Sequence, residues 1–393
     1  MKTISKLGWM AEELTALKGQ NLYRKLRVLE DIKGTQATID GRKIFLFCGN
    51  DYLGLSQHPK LILAAEQVLH ASGVGTGSAR LISGTQKWHT ELEDRIARFF
   101  GKEKALLFSS GYLANLGAIS ALTQSGDTVI LDKLSHASLI DAARLSGKTV
   151  RVYPHKNLEY LEKILKGVKT GRAWIVTDSV FSMDGDLAPL PELVEIKNRY
   201  GAYLIIDEAH GTGVFGESGR GVAEHFHVSD EIDIHIGTLS KAIGSFGGFV
   251  TGRSELIDYL VNFARPFIFE TALPPLICAA SIEAFNLIEE ELDFRKRLWQ
   301  NVKRLRKGLA KIEAPLLEGE SPIIPVVFGD EKKTLTAAEF LLKEGFLIPA
   351  VRYSTVPKGK ARLRITISAV HSDDQIDELI KTFKRLLSLV DEL

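Results

Sequence analysis

One lysine and one aspartate, each at the end of an apolar run, could do chemistry together. Lys241 lies in GTLSKAIGSFGG, after Ile232, Ile234 and Ile236, whose pattern predicts a buried strand. Ser240, Ala242 and Gly244 leave space beside its amine. A lysine in a tight apolar pocket loses solvation, its pKa falls, and the neutral amine becomes a nucleophile. Upstream, AYLIIDEAHGTG closes a second apolar run with Asp207 and His210. A Schiff-base lysine and a carboxylate that keeps a pyridine nitrogen protonated are the two anchors that pyridoxal phosphate requires.

An apolar strand ending in DEAH also marks nucleotide hydrolases, but those need G-x-x-x-x-G-K-[ST]. The one candidate, Gly147-Lys148-Thr149, has Ala142 where the first glycine belongs. It also follows a predicted helix and precedes a predicted strand, the reverse of a phosphate loop. The nucleotide-hydrolase reading is set aside.

The elements that must position these residues alternate steadily from Thr90: ALLFSS, DTVILD, TVRVY, AWIVTD and AYLIID read as strands separated by helices. This alternation predicts an α/β fold with a large, mostly parallel sheet covered on both faces. Ligands bind beyond the carboxyl ends of such strands, which singles out Ser110-Gly111-Tyr112, Ser135-His136, Ser182, Asp207 to His210, and Thr238 to Lys241. Gly111 and Tyr112 open a helix whose N-terminal amides suit a phosphate, or form an ordinary strand–helix turn. His136 could lie flat on a pyridine ring. His210 could meet the cofactor's phenolic oxygen, or be a core histidine. Thr238 and Thr271 offer hydroxyls to a phosphate. Ser182 sits in FSMDGD, whose Asp-Gly also reads as a turn.

Outside this region, residues 1–30 read as an amphipathic helix with a basic end at Arg24, Lys25 and Arg27, and TIDGRKIFLFC reads as a hairpin. GVGTGSARLISGT shows no period and reads as a loop. PFIFETALPP breaks regular structure, a helical pattern follows over 276–309, and a small C-terminal α/β unit closes the chain. Domain boundaries are expected at 1–45, 46–285 and 286–393. In ARLRITIS, Arg364 alternates with apolar neighbours, and its guanidinium fork matches a carboxylate; Arg362 shares its face, and either could be a solvated edge residue. The 393 residues are 45% apolar and 25% charged, with net charge +1, so no bulk pull toward nucleic acid or membrane is expected. Cys48 and Cys278 suggest neither a disulfide framework nor a metal site. With no signal-like start and no membrane-spanning stretch, a cytoplasmic protein is expected.

Together NDYLGL, SGYLAN, LSHASL, VFSMDGD, DEAHGTG, GTLSKAIG, ARPFIFETALPP and TVPKGKARLRITISAVH closely resemble the α-oxoamine synthases, aspartate-aminotransferase-like fold-type I pyridoxal phosphate enzymes. The resemblance covers nearly the whole chain. It implies a homodimer with active sites at the interface and decarboxylative condensation of a small amino acid with an acyl thioester, carried by CoA or by an acyl carrier protein (ACP). Carried over, Lys241 would bind the cofactor and act as acid and base. His136 would stack on the ring, Asp207 would hold the pyridine nitrogen, and His210 would contact the phenolic oxygen. Gly111, Tyr112, Ser182 and Thr238 would bind the cofactor, with Thr271 reaching the other subunit's phosphate. Arg364 and Asn50 would hold the amino-acid carboxylate, while Thr355 and Arg24 match acyl-substrate positions. Within the family, S-T-V-P-K-G-K-A-R-L-R most resembles the biotin-pathway member, which joins L-alanine to a pimeloyl thioester. The nearest rival uses glycine and acetyl-CoA; a non-catalytic binding protein on the same fold is the remote alternative. Glu270 departs from the family's usual Ser or Thr, and a carboxylate there would repel a phosphate at Thr271.

Overall fold

The computed structural model describes residues 6–390 and divides the chain into two units, Asn50–Trp299, and Met1–Gly49 with Gln300–Leu393. In the larger unit seven strands form one sheet in the order Lys104–Phe108, Gly248–Gly252, Ile234–Thr238, Tyr203–Asp207, Ala173–Asp178, Thr128–Asp132, Thr149–Tyr153. Six run the same way; Gly248–Gly252 is antiparallel to both neighbours. The strands Thr128–Asp132, Ala173–Asp178 and Ile234–Thr238 are buried throughout. Burial on both faces is why the first two read as continuous apolar runs rather than alternating ones. Against one face, Leu131, Val176, Ile205 and Ile236 meet Ala118 and Ile119 of the helix Gly111–Leu122 and Leu139 of the helix Ala137–Leu145. Each large apolar side chain in this cluster contributes about 1.5–3 kcal/mol on burial. These helices therefore begin at the sheet edge where the parallel strands end.

Two glycines set that edge. Gly244 closes the turn after Lys241, donating its N–H to the Lys241 carbonyl at 2.8 Å, with φ +70. A Cβ there would stand 2.5 Å from the Ser56 nitrogen, so both conformation and space demand glycine. Gly248 lets its strand approach the start of the helix Gly111–Leu122, where a Cβ would fall 2.5 Å from the Gly111 nitrogen.

Several expectations need correction. The helix expected over 276–309 is two, Pro275–Glu290 and Asp293–Lys311. The segment 80–84, without period in the sequence, is a wide helical turn. The N-terminal helix is only Gly8–Gly19 and buries no residue, its exit marked by Asn21 at φ 58. Asn tolerates that left-handed conformation and ends the helix.

In the smaller unit Gln36–Ile39 and Arg42–Leu46 pair as a hairpin, with Asp40 (φ 48) and Gly41 (φ 74) at its tip, the positive φ values its two-residue turn requires. Glu30–Lys33 pairs on one side, and Phe346–Leu347 pairs parallel with Phe45 and Leu46 on the other. A second sheet has Ala361–Thr366 at its centre, between Ile323–Gly329 and Ala350–Val351. Among the described residues no helix is long and apolar enough to cross a membrane. Both cysteines are free.

Gly34 has a positive φ too (+56), but a Cβ there meets open space. We expect Gly34→Ala to cost about 1 kcal/mol and Gly244→Ala about 3 kcal/mol, the excess arising from the collision with Ser56. Urea unfolding of both variants checks this; equal losses would show that the close approach carries no cost.

Candidate active site

Asp207 ends its strand and is buried. Its Oδ1 accepts the Ala209 N–H at 2.8 Å and its Oδ2 accepts from Asn115 Nδ2 at 2.7 Å. Asp178, its register partner on the adjacent strand, is also buried and accepts the main-chain N–H of His136 at 2.8 Å. Burial first, then the neighbouring Asp207, push the Asp178 carboxyl well above the usual carboxylate range. The next residue after Asp207, Glu208, turns away and accepts from Ser179 Oγ at 2.6 Å and from the N–H groups of Val222 and Ala223 at 3.1 and 2.9 Å. Burial raises its carboxyl to about 7 against these three donors. Glu208 thereby ties down both ends of the loop that carries His210.

Lys241 is half-buried, and its Nζ meets His210 Nε2 at 2.9 Å. His210 Nδ1 lies 2.7 Å from the Tyr52 hydroxyl, which donates to Asn50 Oδ1 at 3.3 Å. With Lys241 as the donor, Nε2 accepts and Nδ1 carries the ring hydrogen. The chain then runs in one direction, from Lys241 through His210 and Tyr52 to Asn50. The amine faces an imidazole rather than the apolar wall its neighbours in sequence suggested.

At the opposite side of the strand ends, Ser110 caps the helix Gly111–Leu122, its Oγ accepting from the Leu113 N–H at 3.2 Å. Thr238 donates its hydroxyl to the Gly247 carbonyl at 2.8 Å and lies 2.9 Å from Ser240 Oγ. The hydroxyl thus braces the Lys241 loop. Tyr112 hydrogen-bonds Asp141 and is exposed.

A sequence profile of the class I and II aminotransferases matches residues 42–383. The chain belongs to that family. It is 45% identical to the 8-amino-7-oxononanoate synthase of Thermoanaerobacter pseudethanolicus, over 98% of each chain. With that of Citrifermentans bemidjiense it shares 46% identity, over 94% of this chain and 95% of the other. Its structure superposes on a serine palmitoyltransferase of S. paucimobilis with a bound PLP–myriocin aldimine, at TM-score 0.94 and 32% identity over 100% of both chains. For this member of the family a phosphorylated pyridine fits the donor set. A carboxylate stands at Asp207 for the ring nitrogen, a helix N-terminus and the Thr238–Ser240 loop suit an anion, and Lys241 lies beside His210.

His136 caps the helix Ala137–Leu145, and its side chain is solvent-exposed on one side. Its Nδ1 is 2.7 Å from Ser138 Oγ and accepts the Ser138 N–H at 3.3 Å. Burial of the rest of the ring lowers its pKa, with Lys241 adding to the shift and Asp207 and Asp141 opposing it, which favours the neutral ring. Ser182 is half-buried in the turn after Phe181.

Sequence reasoning missed His155, which joins the loops carrying His136 and Ser182. Its Nδ1 and Nε2 lie 2.9 Å from Asp132 and Asp186 respectively, and its ring stands edge-on to Phe181 at 4.4 Å. Asn115, Ser138, Tyr52 and Asp178 were missed as well, although the first three stand inside the motifs SGYLAN, LSHASL and NDYLGL.

Thr271 is exposed and bridges to Ala79; with the half-buried Glu270 and with Arg80 it lines a small cavity. The remaining expected substrate residues lie in the smaller unit. Arg24 is exposed and lines a cavity of about 600 Å³ with Lys18, Lys25, Arg27 and Arg352. Thr355 is exposed, its N–H bonded to the Arg352 carbonyl at 3.0 Å. Arg364 and Arg362 are both buried, on the central strand of their sheet, which corrects the solvated-edge alternative.

Burial works against a charged His155, but the hydrogen bonds to Asp132 and Asp186 outweigh it and raise its pKa to about 9. Its contribution to stability is complete below an ordinary histidine pKa and fades as pH rises through about 9. We expect His155→Gln to cost about 1–3 kcal/mol at pH 6 and to flatten the loss of stability between pH ~6.5 and ~9. Denaturation midpoints across that range check this; parallel profiles for both proteins would refute the charged clamp.

Proposed function

We propose that this protein is an acyltransferase that uses pyridoxal phosphate to condense L-alanine with a pimeloyl thioester. The products are 8-amino-7-oxononanoate, CO2 and the free thiol of CoA or ACP. The observation that carries the site reading is the convergence of Asp207, Lys241–His210 and the Gly111–Leu122 helix start at one sheet edge. Identity of 45% over 98% of the chain to a protein named for this reaction supports the choice of substrates.

When bound, the cofactor supplies a carbonyl that captures the amino group and a protonated ring that draws electrons from the adjacent carbon. In this reading Asp207 holds the proton on the ring nitrogen, itself oriented by Asn115 and the Ala209 N–H. Lys241 Nζ removes the α-proton as general base and later returns a proton to that carbon. His210 would accept a hydrogen bond from that amine and hold it in place. The amides of Gly111 and Tyr112, with Thr238 and Ser240, would hold the phosphate, His210 would contact the ring hydroxyl, and Ser182 would also contact the cofactor. His136 stacks on the ring. Arg364 and Asn50 take the amino-acid carboxylate, and the cavity lined by Arg24, Arg27 and Arg352 suits the anionic parts of the acyl substrate, with Thr355 at the same substrate.

The working form in this reading is a cytoplasmic homodimer in which Thr271 of one subunit serves the phosphate of the other. Exposed apolar side chains on the larger unit, Ile82, Phe246, Phe263 and Phe269, support an interface there.

The test is thiol release by cofactor-loaded protein, with alanine or glycine crossed against pimeloyl-CoA or acetyl-CoA. Release with alanine and the pimeloyl thioester is expected. Preference for glycine and acetyl-CoA would move the protein to 2-amino-3-ketobutyrate ligase (glycine C-acetyltransferase) chemistry, and absence of both visible absorption and turnover would leave a binding protein. Lys241→Ala is expected to lose turnover while its visible spectrum still shifts with alanine; near-normal turnover would remove the lysine from the mechanism. Asp207→Asn is expected to slow α-proton exchange by at least ~100-fold with much smaller loss of cofactor binding. Equal exchange rates would dismiss its role at the ring nitrogen.

A further inference from the structure

Asn115 is buried, yet its side-chain Oδ1 has no hydrogen-bond partner among the described residues. Both hydrogens of its amide are engaged, one on Asp207 Oδ2 at 2.7 Å and one on Ser138 Oγ at 2.8 Å. The carboxylate only accepts, so the amide nitrogen, not the oxygen, must face Asp207. A position that tolerates an orphaned carbonyl is one where the two N–H groups are what the structure needs.

Ser138 is equally buried and sits in the first turn after His136. Its Oγ receives the Asn115 N–H, so its own hydrogen is left for His136 Nδ1 at 2.7 Å. The Ser138 main-chain N–H points at the same ring nitrogen at 3.3 Å. Two donors on one nitrogen leave no hydrogen of its own there. We infer that Asn115 and Ser138 are positioning residues that tie the Asp207 carboxylate to the His136 ring and fix that ring as the tautomer protonated on Nε2. His136 then offers a donor, not an acceptor, to whatever group is brought against its exposed side. This inference rests on the proposed site reading only for its consequence in catalysis; the tautomer itself belongs to the folded chain.

The titratable groups facing His136 are Asp207, Lys241, Asp141 and Asp178, the last accepting the His136 main-chain N–H, and the Tyr112 ring stands edge-on at 6.5 Å. Removing the Ser138 hydroxyl withdraws a hydrogen bond made to the neutral ring. Removing the Asn115 amide leaves the Asp207 charge less compensated. Both changes favour the imidazolium.

The test uses full-length, cofactor-free protein labelled with 15N-histidine, with His136 assigned by its loss in His136→Gln. Long-range proton–nitrogen correlation at neutral pH should show Nδ1 unprotonated and Nε2 protonated in the natural sequence. Ser138→Ala and Asn115→Leu should each mix the tautomers and raise the His136 titration midpoint by about one unit, while Ser138→Thr, which keeps the hydroxyl, should restore the original pattern. A natural-sequence protein carrying the hydrogen on Nδ1 would overturn the inference, as would unchanged spectra in both variants. Should Asn115→Leu fail to fold, the natural sequence and the Ser138 pair still decide. Failure of the cofactor reading would show separately, as no visible absorption on adding pyridoxal phosphate.

Discussion

Two carboxyls, Asp178 and Asp207, end adjacent parallel strands as register partners, and a buried sheet edge cannot carry two uncompensated charges side by side. Much of the site follows from this constraint. Burial and the neighbouring Asp207 push the Asp178 carboxyl upward, and it accepts one main-chain N–H, which also places His136. Asp207 is met by two donors, one from its own turn and one from a neighbouring helix. Glu208 adds a third carboxyl beside them, but it faces the other way and spends its oxygens on the loop that brings His210 to Lys241.

The parts of the site readable from the sequence are those set by the strand-end rule. Asp207, His210, Thr238 and Lys241 follow apolar runs directly, and backbone geometry delivers them to the same edge whatever else surrounds them. Their partners are another matter. Asn115 lies one turn into a helix, where an asparagine reads as neutral, and only tertiary packing reveals that it reaches a carboxylate 92 positions away. His155 looks like a loop residue until Asp132 and Asp186 are seen to flank it. Arg364 alternates with apolar residues as an edge strand would, yet its strand is central and buried along its whole length.

Helix boundaries erred for a related reason. The apolar pattern from Leu276 onward persists across the break near Glu291 because both helices bury a face, so periodicity alone hides the corner. The N-terminal stretch showed the converse: charged and apolar residues suggested an amphipathic helix well beyond Gly19, but no face of the helix that forms is buried in the chain.

The pairing of Phe45 with Phe346 has a consequence for how the protein is made. Translation delivers the hairpin early and its final partner some 300 residues later, roughly 15–60 s at ordinary ribosome speeds. Throughout that interval one hairpin edge stands open to any other nascent strand. On the waiting strand itself Arg42 and Lys43 carry two charges, and the strand EDIK, which covers the opposite edge of the hairpin, is charged at three of its four positions and exposed along its length. Such charges discourage edge-to-edge association. The ribosome thus imposes a requirement on these residues that the finished enzyme no longer displays.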